Sequence, residues 1–444
     1  MDTPLRRRSL LRALGATGVA ALAGCPAGIG QSSGFEPGET DWPSARFGPG
    51  NTAVHPSASG PGEDLAVAWT AQFREDADGE FADVGSASHP IVLDGTVVAA
   101  AYDYTGDAQL TVVSAFDLES GERRWERTFE VGEVDAENGI APARTLGSDG
   151  ERVFVETLAD GPTLTAIAPE TGETEWTESL DRALASPVTA EGGSVLAGEQ
   201  LYAAFDPADG TRRSRYETDD DRYWRSQYPP TVTEDTVYAP AFDELHAVDR
   251  ESGERRWTAS NEFYSILYQD RGAPLHPPVV ADGVAYATAG YIDNADTGGM
   301  VAVDIEDGSQ LWTAIPEGAT GEDYEGEDIR TEQAAFYGMP LVLDGTVYAH
   351  GYERGEWGFF AVDAEDGSVG RMETFGGFVA ADGRCYGLAE SDATRVEAVD
   401  PAADEVVGTA TVEEWDPVAA ARHAVAGEYL VLATTQGVAA FGPN

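Results

Sequence analysis

Short apolar runs alternate with turn residues along most of the chain, and the same two patterns keep returning. The first is an apolar run closed by Asp, then a turn glycine, then a charged run ending on Trp. Leu245 to Trp257 reads LHAVDRESGERRW. Val113 to Trp125 (VSAFDLESGERRW), Leu164 to Trp176 (LTAIAPETGETEW) and Met300 to Trp312 (MVAVDIEDGSQLW) repeat it. Weaker copies begin at Leu201, Phe359, Val396 and Gly437. The apolar runs are β-compatible and short, which predicts strands. The Asp can hold the turn through backbone N–H groups. Gly253 and its equivalents supply a left-handed residue.

The second pattern precedes the first. PIVLDGTVVAA begins at Pro90, PTVTEDTVYAP at Pro230, PVVADGVAYAT at Pro278 and PLVLDGTVYAH at Pro340, with a weaker version at Pro187. Strand, Asp-Gly or a similar turn, strand is a hairpin. Two hairpins per repeat make a four-stranded antiparallel unit. Such a unit cannot bury both faces alone, and radial packing of several units solves this. Trp125, Trp176, Trp257 and Trp312 keep one offset from Gly121, Gly172, Gly253 and Gly308, so each is expected to pack one unit against the next.

These residues resemble the family of pyrroloquinoline-quinone-like β-propeller repeats. Its motif, roughly A-x-D-x-x-T-G-x-x-x-W, matches Ala166 to Trp176, Ala247 to Trp257 and Ala302 to Trp312. The resemblance spans about residues 41–444. It implies an all-β propeller and leaves function open. The family includes quinone-dependent alcohol dehydrogenases and the lipoprotein propeller of the bacterial outer-membrane assembly machine. The dehydrogenases use a Ca²⁺ cage, an Asp base and usually a disulfide between adjacent cysteines.

The chain ends complete the architecture. Leu65 to Phe73 (LAVAWTAQF) reads as a fourth strand carrying Trp69, without its first three. Glu428 to Thr434 and Gly437 to Phe441 read as inner strands without a fourth. Joining them removes the open seam. Seven continuous units and one split unit predict eight blades, with seven as the alternative.

Charge changes the picture of the surface. The chain has 79 Asp and Glu against 27 basic residues, a formal net charge of −52. That excludes nonspecific nucleic-acid binding and repels anionic membranes. It reads as a halophile-type surface, and secondarily as a face for a basic partner or Ca²⁺.

Residues 1–25 read as an export and anchoring segment, outside the fold. RRSLLR, containing Arg7 and Arg8, matches a twin-arginine signal, and LAGC at Leu22 to Cys25 resembles a lipobox in which Cys25 takes lipid. The apolar run Ala13 to Ala23 is shorter than the ~20 residues needed to span a bilayer. The segment carries one acid and four arginines, so its removal would take the charge from −52 to −55. Pro26 to Thr40 reads as a flexible tether and residues 41–444 as the propeller. Trp42, Arg46 and Asn51 in DWPSARFGPGNT are ligand contacts or, by preference, packing residues.

Long connections are where function concentrates. Tyr223, Trp224, Arg225 and Tyr228 in one, and Tyr264 and Tyr268 in another, are candidate ligand contacts. Asp323, Glu325, Glu327 and Asp328 crowd a third and form a weak candidate cation site. Chemistry is otherwise sparse. Cys25 and Cys385 are the two cysteines, so no adjacent pair exists, and Cys385 reads as a buried, inert thiol. No GxSxG stands at a strand-to-helix elbow, the match at Gly30 to Gly34 falling in the tether; no His pair has metal spacing, and no Walker or Rossmann glycine pattern sits between a strand and a helix. His246 and His350 read as core or edge residues.

The expectation is therefore a monomeric, non-catalytic, lipid-anchored extracytoplasmic propeller, without cofactor, binding envelope proteins or a surface ligand. The alternatives are a quinone-dependent dehydrogenase, which would need pyrroloquinoline quinone, and a glycan-binding surface module.

Overall fold

A computed structural model describes residues 35–73, 86–103, 110–131, 146–158, 161–181, 183–184, 186–191, 193–198, 202–216, 228–233, 235–241, 243–260, 275–289, 298–316, 334–353, 356–374, 378–389, 392–412 and 421–443. Among them there is no helix, and the strands form eight sheets, one per blade of a ring, each blade's own four strands antiparallel.

Blade 1 is built from Ile91–Leu93, Thr96–Asp103, Leu110–Asp117 and Arg123–Glu130, with Ser86–Ala87 also paired to Thr96–Asp103. Blade 2 comprises Gly147–Ser148, Val153–Thr157, Thr163–Ile167 and Thr174–Ser179. Blade 3 comprises Thr189–Glu191, Ser194–Ala197, Tyr202–Phe205 and Arg212–Tyr216, and blade 4 Thr231–Val232, Thr236–Ala241, Glu244–Asp249 and Arg255–Ser260. Blade 5 runs through Val279–Ala281, Val284–Ala289, Gly299–Asp304 and Gln310–Ala314, and blade 6 through Ala334–Leu343, Thr346–Glu353, Glu356–Asp363 and Val369–Arg371. Blade 7 runs through Val379–Ala381, Arg384–Ala389, Asp392–Asp400 and Glu405–Thr411.

Blade 8 is the split one. Arg422–Ala426, Tyr429–Ala433 and Val438–Pro443 supply three strands, and Leu65–Ala71 supplies the fourth, with Val67 opposite Phe441 and Trp69 opposite Ala440. The count is eight, not seven. The closing strand stops at Ala71, two residues short of the expected Phe73.

Burial follows position in the blade. Second and third strands are buried on both faces, as in Val153–Thr157, because each sheet is stacked between two others. The fourth strand lies at the rim and alternates, as in Arg123–Glu130. First and second strands of blades 1, 5, 6 and 7 are joined by Asp-Gly pairs: Asp94-Gly95, Asp282-Gly283, Asp344-Gly345 and Asp382-Gly383. Both residues of each pair have positive φ, the two-residue turn that suits a twisted hairpin.

The Trp and Gly of one repeat do not meet each other; each Trp meets the next blade. Trp69 lies on Gly121, Trp125 on Gly172, Trp176 on Gly210, Trp257 on Gly308 and Trp312 on Gly367, where any Cβ would clash with the indole. Their Nε1 atoms donate to the carbonyls of Leu118, Pro169, Pro207, Ile305 and Ala364, at 2.7–3.0 Å. The acceptors follow Asp117, Ala168, Asp206, Asp304 and Asp363, the position that opens each third-to-fourth turn. The Asp there caps the turn: Asp249 Oδ1 accepts from Ser252 N at 2.8 Å, and Asp117 Oδ1 from Ser120 N at 2.9 Å. Arg124, ahead of the Ser120 bonds, holds Asp117 down at about 2.

Blades 3, 6 and 7 lack this tryptophan. Blade 3 meets blade 4 instead through the Tyr216 hydroxyl, 3.2 Å from His246 Nδ1, whose Nε2 lies 2.9 Å from Glu244 Oε2. His246 is thus a satisfied core residue. Blade 7 is held from elsewhere, by the segment described next.

Candidate functional site

Antiparallel alternation gives the ring two unlike ends. All first-to-second and third-to-fourth turns lie at one, the turn end. Second-to-third and blade-to-blade links lie at the other, the connection end.

Residues 35–60 strap the turn end. Phe35 packs on Gly150 in a blade 2 turn. Glu39 O accepts from Gly427 N in a blade 8 turn at 2.6 Å, and Asp41 Oδ1 from Asp94 N in a blade 1 turn at 2.8 Å. Residues 35–41 thus bond and pack against turns of the ring. Trp42 exchanges two backbone bonds with Val92 of blade 1. Pro49 O accepts from Val232 N of blade 4, and Gly50 O from Val280 N of blade 5. Val54–His55 pairs in parallel with Val379–Ala381, making blade 7 five-stranded. With the Arg46 bond to Pro340 of blade 6, one segment thus touches blades 1, 2, 4, 5, 6, 7 and 8.

The strap follows an unusual path. Phe47, Asn51 and Ala53 all have positive φ, at 70°, 56° and 57°. Non-glycine residues hold such angles only where the surroundings over-determine them. Asn51 is fully buried; its Nδ2 donates to Pro229 O at 3.0 Å and to Thr231 Oγ1 at 2.8 Å. Arg46, 4% exposed, donates to Asn51 O at 3.1 Å and to Pro340 O of blade 6. Burial pulls its guanidinium down to about 10, with Tyr228 opposing the shift. Trp42, Arg46 and Asn51 are therefore packing and bonding residues of the strap.

Above Arg46, toward the connection end, stands Tyr228. The guanidinium carbon lies 5.6 Å from the Tyr228 ring centre. The same ring is 6.4 Å from His89 of blade 1, although Tyr228 leads into blade 4, three blades away. Rings that meet from blades so far apart lie at the axis. His276 stands edge-on between Tyr228, at 6.3 Å, and Tyr337, at 6.0 Å. Tyr337 in turn meets Trp357 at 5.7 Å. On the other side Phe378 is stacked between His350, at 4.4 Å, and His423, at 4.9 Å. Burial pushes His276 down to about 4 and His423 down to about 3, so both are neutral near pH 7.

Of the candidate loop residues, Tyr228 alone is described, and it stands on the axis. Tyr223, Trp224, Arg225, Tyr264, Tyr268, Asp323, Glu325, Glu327 and Asp328 lie outside the described residues, as do Arg7, Arg8 and Cys25. Sequence reasoning placed His276 in a long connection marked for function, and missed His89, Tyr337 and Phe378. A signal was present: His89 and Tyr228 each stand directly before the Pro that opens an inner strand, and His276 before Pro277.

The fold's quinone enzymes prompt a test of fit. A flat quinone bearing carboxylates needs a slot, cations and a metal cage. On this axis the Arg46 guanidinium stands against the Tyr228 ring and is committed to Pro340 O and Asn51 O, not to a ligand carboxylate. Among the described residues no three His, Cys, Asp or Glu side chains converge to hold a metal. Cys385 is buried within blade 7, its thiol pushed up to about 12 by burial. The described residues do not fit the group.

Comparisons place the fold. BamB from Moraxella catarrhalis aligns over 81% of this chain and 98% of its own, at 15% identity and a TM-score of 0.54. The quinohemoprotein alcohol dehydrogenase of Comamonas testosteroni aligns over 90% of this chain and 80% of its own, at 14% identity and a TM-score of 0.59. The computationally designed protein Ika8 aligns over 86% of this chain and all of its own, at 12% identity and a TM-score of 0.57. At these identities the likeness is one of fold alone. A search of curated protein sequences finds no significant match. A family model described as outer membrane protein assembly factor BamB matches residues 109–261, 198–322 and 241–370. Those overlapping stretches cover more than half of the sequence, and the chain belongs to that family of pyrroloquinoline-quinone-like β-propellers.

Proposed function

We propose that this chain is a non-catalytic extracytoplasmic propeller, tethered by lipid at Cys25, that binds a protein or other ligand at its connection end. The observation that carries the reading is the strap. It crosses the turn end and places Arg46 against Tyr228, whose ring meets His89 from a blade three places away. The BamB-like family and fold support a role in protein contacts at the cell envelope.

With lipid at Cys25, the same strap supports an orientation. Phe35 and Glu39 lie against turns at the turn end. Cys25 precedes Phe35 by ten residues, a reach of at most ~35 Å. The turn end then faces the membrane and the connection end faces outward, where long connections vary and carry function. Single cysteines at exposed Glu119, in a blade 1 turn, and exposed Glu356, in the blade 6 connection hairpin, test this. Buried Cys385 leaves the label specific. Energy transfer to labelled lipid headgroups should be strong from 119 and weak from 356. Equal or reversed transfer in membrane-bound protein contradicts the orientation; loss of membrane association in the unsubstituted chain contradicts the tether.

A further inference from the structure

We propose that the ring-lined floor at the connection end binds a neutral, polyhydroxylated ring ligand, of which an oligosaccharide is the representative. The inference deepens the ligand-binding reading above and rests on it.

Three observations carry it. First, the rings form one continuous tract from the axis outward: His89, Tyr228, His276, Tyr337 and Trp357, each 5.7–6.4 Å from the next. His89, Tyr228 and Tyr337 are half-buried and Trp357 is 37% exposed, so the tract offers accessible faces. Trp357 is among the few large apolar side chains the described chain exposes. Rings of this kind join an apolar face to a polar edge, as a sugar does.

Second, His276 is 7% exposed, and its Nε2 has no hydrogen-bond partner among the described residues. A buried polar atom left unpaired is costly and needs a reason. A neutral imidazole nitrogen either donates or accepts, and a hydroxyl can answer both. His423 Nε2 is likewise unpartnered at 3% exposure.

Third, charge selects a neutral ligand. The whole chain, at −52, repels anions. Locally, Arg46 stands 5.6 Å from the Tyr228 ring centre, on the strap side, and opposes a cation stacking at the same place.

The test uses the full chain in molar salt. Neutral gluco- and manno-oligosaccharides are titrated by calorimetry and indole fluorescence, with oligogalacturonate, choline and the peptide Gly-Trp-Gly as controls. At least one neutral oligosaccharide should bind saturably. Trp357→Ala, at an exposed site that spares the fold, should weaken it about three- to ten-fold, the range of one aromatic contact. Tyr337→Ala should do the same, and Tyr337→Phe should restore binding. No saturable binding of any neutral probe overturns the proposal, as does binding that both alanine variants leave unchanged. Tighter binding of a charged control overturns the charge argument. Binding of the peptide alone overturns the sugar assignment while leaving the scaffold reading standing.

Discussion

The indole of Trp69 lies on the Cα of Gly121: a Cβ added there would stand 2.6 Å from Trp69 Cδ2. Trp69 Nε1 also donates to Leu118 O at 2.7 Å. The contact joins the split blade to blade 1, so a strand near the start of the chain closes the ring twice. It pairs sideways with Val438–Pro443 and docks its Trp on the neighbouring blade. Trp69→Ala should cost ~3–5 kcal/mol, the usual range for a buried Trp. Truncation after Gly437 should be comparably damaging, since it exposes the same seam. Combined, the two should fall short of additivity in urea unfolding, because each breaks one closure. Full additivity would contradict it.

Gly121 and Gly253 separate two costs that sequence alone merges. Both hold positive φ, 70° and 72°, so an alanine strains either by ~1 kcal/mol. Gly121 also receives an indole, whereas Gly253 has only the Arg215 carbonyl, 3.4 Å from an added Cβ. Gly121→Ala should therefore lower the melting temperature several degrees more than Gly253→Ala. Equal effects would show that the Trp stacks are not structural bolts.

Asn51 tests the strap. Asn51→Gly keeps the left-handed backbone and loses only the bonds to Pro229 O and Thr231 Oγ1. Asn51→Ala loses those bonds and adds strain, so it should be worse by ~1 kcal/mol. Chemical unfolding of the pair checks this, and an alanine variant as stable as the glycine variant would contradict the account.

Acid should weaken the fold before carboxylates titrate. His55, His276 and His423 are held at about 4, about 4 and about 3, chiefly by burial. Their unfolded values lie near ~6.5. The unfolded chain then binds more protons below that value, so stability is full above ~6.5 and falls toward ~4. Each histidine contributes up to about 1.4 kcal/mol per pH unit across that window. Urea midpoints at constant molar salt should drop between those limits, and His276→Gln should flatten the slope. A flat profile would contradict burial of neutral imidazoles.

Salt acts on the charge itself. At −52 the surface carboxylates repel, and the Debye length grows from ~3 Å at 1 M to ~10 Å at 0.1 M. The melting temperature should fall as salt is diluted over that range. A constant value would show that repulsion does not govern stability.

Much of the ring was legible because its signals are periodic. The Asp-Gly turns, the Gly-to-Trp offset and the orphan strand at Leu65 each follow from local backbone demands repeated along the chain. What escaped is what does not repeat. The offset of Trp125 from Gly121 led to the expected packing of one unit on the next, but not to Gly172 as the glycine that receives the indole. The strap occurs once, and its bonds reach from Arg46 to Pro340 and from Asn51 to Pro229. The axial rings follow from where inner strands begin, which only closure of the ring brings together.

The misfit of the quinone to this axis is tested most directly by titrating pyrroloquinoline quinone with Ca²⁺ into the full chain in molar salt, following binding by calorimetry and dye reduction with alcohols. With Arg46 set against Tyr228 and committed to Pro340 O and Asn51 O, neither stoichiometric binding nor turnover should appear. Tight one-to-one binding with alcohol-dependent dye reduction would contradict the account.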